Sequence, residues 1–172
     1  MKTINNLLTG LTACSNAVEW AKDKTWTEIY STCHRGDWLL WLFKKTNPDD
    51  LQILTLAKGH CANTVRHLMK DERSTRAVDA AIAFGEGKIT QKELAAAVSA
   101  AVSAAASTDY AAAYAATYAT TYAAKAAANT AYTATFTAAA DDTMGKANQK
   151  LTADICRKYL PMNIWNIKYD EK

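Results

Sequence analysis

From Glu93 to Ala140 the chain carries no glycine and no proline, and about half of its residues are alanine. Alanine is the strongest helix former, so such a run folds as helix with modest tertiary help. Thr90-Gln91-Lys92-Glu93 sets its start as a capping box, in which the Thr hydroxyl and the Glu carboxylate each satisfy a free amide of the first turn. A straight helix over the run is on the order of 70 Å long. That exceeds the diameter of a compact domain of this size. The helix therefore bends or breaks near Ser107-Thr108-Asp109, all good cap residues, or it projects and packs against another copy. The expected architecture is an all-α helical bundle around a very long alanine-rich helix, kinked near 107–109 and covered by oligomerisation.

Breakers are concentrated elsewhere. Gly10, Gly36, Pro48, Gly59, Gly85 and Gly87 separate shorter helical patterns in the first half, and Gly145 and Pro161 punctuate the end. Trp38, Leu39, Trp41 and Leu42 form an apolar cluster at helical spacing, started by Gly36-Asp37, whose carboxylate is suited to cap the first turn. Asn47-Pro48 stops that helix. Asp49 and Asp50 place negative charge at the next helix start, and a further helix is expected from about Ser74 to Phe84. One domain is predicted, with a Trp-rich part of short helices (1–88), the long Ala/Tyr helix (89–140) and a C-terminal helix and tail (141–172). Trp20, Trp26, Trp38 and Trp41 read as core packing of the first part.

At 172 residues the chain is long enough to bury a sizeable core without staples. A net charge of +3 and the absence of any long Lys/Arg run argue against general nucleic-acid binding. Cys14, Cys33, Cys61 and Cys156 lie far apart, which suits a reducing compartment. The N-terminal residues never develop a signal-peptide core, and no window is apolar enough to span a membrane. The expected location is cytoplasmic, in the host cell if the chain is phage-encoded.

Tyr110, Tyr114, Tyr118 and Tyr122 recur every four residues, and Tyr132 falls back on the same helical face. A packing ridge accounts for such a stripe. Lys125 is the one basic residue between Glu93 and Lys146, and it falls within the stripe with Asn129 beside it. A sharper reading is a ligand pocket in which Lys125 supplies charge, Tyr118, Tyr122 and Tyr132 supply stacking surface, and Asn129 supplies a hydrogen bond. Arg35 and Asp37 beside Trp38 form a second candidate polar site, although a helix cap with a neighbouring ion pair also explains them. Cys33-His34, His60-Cys61 and His67 match no zinc-ligand spacing, and nothing in the sequence supplies an oxyanion hole for a cysteine nucleophile. Neither a metal nor a cofactor is expected, and no catalytic residue is assigned.

Three pieces of the chain carry a resemblance. They are Cys14-Ser15-Asn16-Ala17-Val18-Glu19-Trp20-Ala21, the run Cys33-His34-Arg35-Gly36-Asp37-Trp38-Leu39-Leu40-Trp41-Leu42, and the alanine-rich stretch with regular tyrosines; Ala153-Asp154-Ile155-Cys156-Arg157 adds to them. Together they resemble, over nearly the whole length, a small family of bacterial and phage proteins described as immunity proteins. The resemblance implies a non-catalytic protein that neutralises a toxin or a defence component, or that sequesters a nucleotide immune signal. The expected partners are thus a toxin or defence protein, or a small nucleotide signal, with a homo-oligomer as the binding unit and no membrane. The competing expectation is a small enzyme acting on a nucleotide through the Cys33/His34/Asp37 region.

Overall fold

The computed structural model describes residues 3–69, 71–105 and 142–167. Among these residues there is no strand. Eight described helices follow in order: α1 (Ile4–Gly10), α2 (Ser15–Ala21), α3 (Trp26–Thr32), α4 (Gly36–Thr46), α5 (Leu51–Asn63), α6 (Glu72–Gly85), α7 (Gln91–Ala105) and α8 (Asp142–Tyr159). The described residues are thus all helix, turn and loop, consistent with the all-α class expected from the pattern. The rest of the alanine-rich run, 106–141, with the expected break near 107–109, lies outside the described residues.

Local chemistry fixes most of the helix starts. Thr25 and Glu28 form a reciprocal capping box on α3, and Thr90 and Glu93 form one on α7, as the sequence predicts for the latter. Asp71 accepts from the Arg73 amide at 2.8 Å and starts α6 two residues before the expected point. The start of α4 differs from expectation. Its N-cap is Arg35, which makes no side-chain cap, and the Asp37 carboxylate is engaged by the Arg35 guanidinium instead of capping the first turn. At the other end of α4, Asn47 does more than stop a helix. Its amide donates to Asp50 and to the Ile164 carbonyl, both at 2.8 Å, and its oxygen accepts from the Asn166 amide, so this turn holds the C-terminal tail.

Two cores result. The main one joins α1 to α5 with α8 through Leu39, Leu40, Phe43, Leu54, Cys61, Cys156 and Leu160, with Trp26 and Trp165 packed at 4.9 Å between ring centroids. The smaller one lies between α6 and α7, where Ala81 meets Leu94 and Val98. Glycine serves close approach here as well as punctuation. A Cβ on Gly36 would stand 2.6 Å from the Thr152 backbone carbonyl carbon, so α4 and α8 touch main chain to main chain. Gly59 lies inside α5, where a Cβ would stand 2.8 Å from the Ile82 side chain of α6, so the glycine lets the two helices approach closely.

Lys58, on α5, is 1% exposed, and its Nζ has no hydrogen-bond partner among the described residues. Burial, helped by the charge of Lys44, pulls its ammonium down to about 6, so the amine is largely neutral at pH 7. In the unfolded chain the same amine titrates near 10.5. Between those two values the unfolded state binds more protons than the folded one, so stability rises with pH across that window and is flat below it. Lys58→Met is therefore expected to stabilise the fold at pH 7 by about 2–5 kcal/mol, with the gain shrinking towards pH 10, as measured by urea unfolding at both values. Gly36→Ala, which forces the α4–α8 backbones apart, is expected to cost about 1–3 kcal/mol in the same assay.

Candidate functional site

A cavity of about 340 Å³ opens between the N-terminal helices and α4. Leu8 of α1, Ala17, Trp20 and Ala21 of α2, Ile29 of α3, and Trp38, Leu39, Trp41 and Leu42 of α4 make its apolar wall. Thr12, Cys14, Cys33, Arg35 and Asp37 supply the polar atoms at its edge. Helical spacing explains the α4 contribution, because residues 38, 41 and 42 share one face of the helix while Leu40 and Phe43 turn into the core. Trp20 and Trp38 pack against each other in this wall, with ring centroids 5.9 Å apart and planes tilted at 57°. Thr12 reaches this edge in the left-handed backbone region, at φ 63°, a strained position for a β-branched residue.

The polar edge is organised by one ion pair. Arg35 donates from Nε to Asp37 Oδ1 at 2.8 Å and from Nη2 to Oδ2 at 2.6 Å, and its guanidinium lies 4.7 Å from the Trp38 ring centroid. The Asp37 carboxylate beside it raises the Arg35 pKa further, so the guanidinium stays charged under all ordinary conditions. The side-chain exposures are 31% for Arg35 and 9% for Asp37, which places the pair at the boundary between cavity and solvent. Of the residues singled out in the sequence, the structure thus brings Arg35 and Asp37 together beside Trp38. Lys125, Tyr118, Tyr122, Asn129 and Tyr132 lie outside the described residues.

The neighbouring cysteine and histidine do not join this pair. The Cys33 thiol is 2% exposed as a residue and reaches the Arg35 carbonyl at 3.5 Å. Burial pushes it up to about 11, so it is a protonated thiol at neutral pH and lacks the thiolate that nucleophilic attack requires. His34 is exposed and packs edge-on to Trp20 at 6.2 Å. His60 stacks flat on Tyr159 at 4.1 Å, and burial lowers its pKa. Cys61 and Cys156 lie in the core, where their thiols meet the carbonyls of Thr152 and Gly36.

All four early tryptophans pack as the sequence reading expects: Trp26 is a core residue at 5% exposure, and Trp20, Trp38 and Trp41 are partly buried against the same core while also lining the cavity. Lys45 lies over Trp41 at 5.9 Å, four residues on along α4, a helix-surface spacing that marks an indole as partly exposed, and Lys24, beyond the end of α2, lies over Trp20 at 4.8 Å.

Comparison of the chain with family models, with curated proteins and with solved structures finds no match. Among the described residues, no helix is long and apolar enough to cross a membrane.

The burial pattern of the thiols sets an expectation for labelling. Under native conditions at pH 8, iodoacetamide should add once and rapidly, at exposed Cys14, with Cys33, Cys61 and Cys156 reacting only in denaturant. Counting adduct masses over time checks this, and early modification of Cys33 would contradict the protonated, buried thiol.

Proposed function

We propose that the protein is a non-catalytic binding protein acting in bacterial or phage conflict, which neutralises a toxin or defence component or sequesters a nucleotide signal by occupying it at the tryptophan-walled cavity. One observation carries this reading. One of the runs that carry the resemblance, Arg35 to Leu42, also builds much of the cavity: Arg35, Asp37, Trp38, Leu39, Trp41 and Leu42 all line it. The chemistry of the edge supports binding over turnover, because the Cys33 thiol is held protonated and the Asp37 oxygens are engaged by Arg35. In this reading the working unit is a homo-oligomer, and the Lys125 stripe, with Tyr118, Tyr122, Asn129 and Tyr132, is a second surface along the long helix.

The test is native mass spectrometry of the full chain with a panel of cyclic and linear nucleotides, alongside capture of candidate toxins by the tagged chain. A defined ligand mass or a defined toxin should be retained, and Trp38→Ala should weaken retention at least about tenfold, as for a central aromatic anchor, with the helical circular dichroism unchanged. Turnover of a nucleotide that disappears in His34→Ala, with folding retained, would replace this reading by the enzyme that the Cys33/His34/Asp37 region suggests.

A further inference from the structure

The Arg35–Asp37 pair carries information about what the cavity takes. We infer that the cavity binds an uncharged, planar heterocycle of one or two rings with an N–H and a C=O side by side on one edge, a cyclic amide such as a nucleobase, read by Arg35 and Asp37. This rests on the binding function proposed above and narrows its ligand.

Charge is the first constraint. A guanidinium has five N–H donors, and Arg35 commits one from Nε and one from Nη2 to Asp37. Nη1 donates to nothing among the described residues. Each Asp37 oxygen accepts one of those bonds and keeps lone-pair capacity for another. The pair therefore presents a donor and an acceptor together while its net charge is zero. A carboxylate or phosphate brought to Arg35 would stand beside the buried Asp37 carboxylate, where like charges are expensive. An ammonium would meet Arg35, which already occupies a face of Trp38. A cis-amide edge satisfies both members at once: its carbonyl accepts from Arg35 and its N–H donates to Asp37.

Shape is the second. Trp20 and Trp38, in tilted contact with each other at 5.9 Å, and Trp41 line the same wall, and the indole surface they turn to the cavity suits a flat ring, which indole faces bind by stacking. A volume of about 340 Å³ lies at the lower end of the range for small-ligand sites. That suits one base and not a whole dinucleotide, so any sugar or phosphate attached to the ring stays outside the cavity.

Matched pairs of probes test the assignment on the unmodified full chain. Tryptophan fluorescence is titrated with uracil and hypoxanthine, with their ring-N-methylated forms that lack the amide N–H, and with indole as a flat ring without a carbonyl. The expected result is saturable quenching by the free amides, at least tenfold weaker binding after N-methylation, and weaker binding again by indole. Asp37→Asn should abolish the preference for the unmethylated form while near-ultraviolet circular dichroism stays native; if that variant unfolds, the probe pairs in the unmodified chain still decide. Equal binding of methylated and unmethylated rings, tighter binding of indole, or no quenching up to millimolar probe overturns the cyclic-amide assignment. The broader binding function fails separately, when neither a nucleotide nor a toxin is retained in a Trp38-dependent way.

Discussion

Main-chain contact between α4 and α8 at Gly36 is the constraint on which the rest of the described structure depends. With no side chain at position 36, the Thr152–Ala153 backbone comes within reach, and the Cys156 thiol reaches the Gly36 carbonyl at 3.5 Å. Around that point α8 ties the loop before α4 from both sides. Arg157 donates from Nη1 to the carbonyls of Tyr30 and Cys33, and the Tyr30 hydroxyl reaches the carbonyls of Arg157 and Leu160. These bonds satisfy main-chain acceptors at the ends of α3 and α8, where helix geometry leaves carbonyls without partners. They also fix the backbone from which Arg35 and Asp37 project. The cavity edge is thus positioned by a helix more than a hundred residues away in sequence.

That dependence explains what could and could not be read in advance. Features decided within a few residues were legible: the α7 capping box, the stop at Asn47-Pro48 and the helical face of Trp38, Leu39, Trp41 and Leu42. Features decided between distant segments were not. The close approach of Ile82 in α6 to Gly59 in α5 had no local signal. Trp165, alone near the C-terminus, gave no periodic signal, although it packs on Trp26, Tyr30 and Phe43 and donates from its indole to the Leu160 carbonyl. The candidate site divided along the same line. Arg35 and Asp37 were visible as neighbours of Trp38, but the part Trp20 plays opposite them requires the fold.

Lys58 marks a cost borne inside this arrangement. A fully buried amine without a hydrogen-bond partner among the described residues is disfavoured by desolvation, and holding it neutral relieves only part of that. It sits on α5 with Lys44 and the thiols of Cys61 and Cys156 as its electrostatic neighbours, none of which offers a carboxylate. An apolar side chain would serve the packing of α5 better, and the described contacts give no structural return for the lysine. Groups that burden the fold in this way are more often retained for chemistry than for packing, yet Lys58 does not line the cavity, so any such role is separate from ligand binding there.

The cavity itself shows how apolar walls can be kept at a surface without collapsing. Trp20, Trp38 and Trp41 each carry a cationic group over the ring, from Lys24, Arg35 and Lys45 respectively. Such contacts contribute about 0.5–1 kcal/mol each at exposed sites, too little to build the fold but enough to bias the orientation of a half-buried indole. Lys24 and Lys45 are not among the groups lining the cavity, so their charge covers the indoles from outside it while the inner faces stay apolar. Arg35 alone does both, stacking on Trp38 and presenting its guanidinium to the interior. Because Asp37 neutralises it there, the site keeps hydrogen-bonding direction without net charge, and selectivity falls to the donor–acceptor pattern of whatever ring enters.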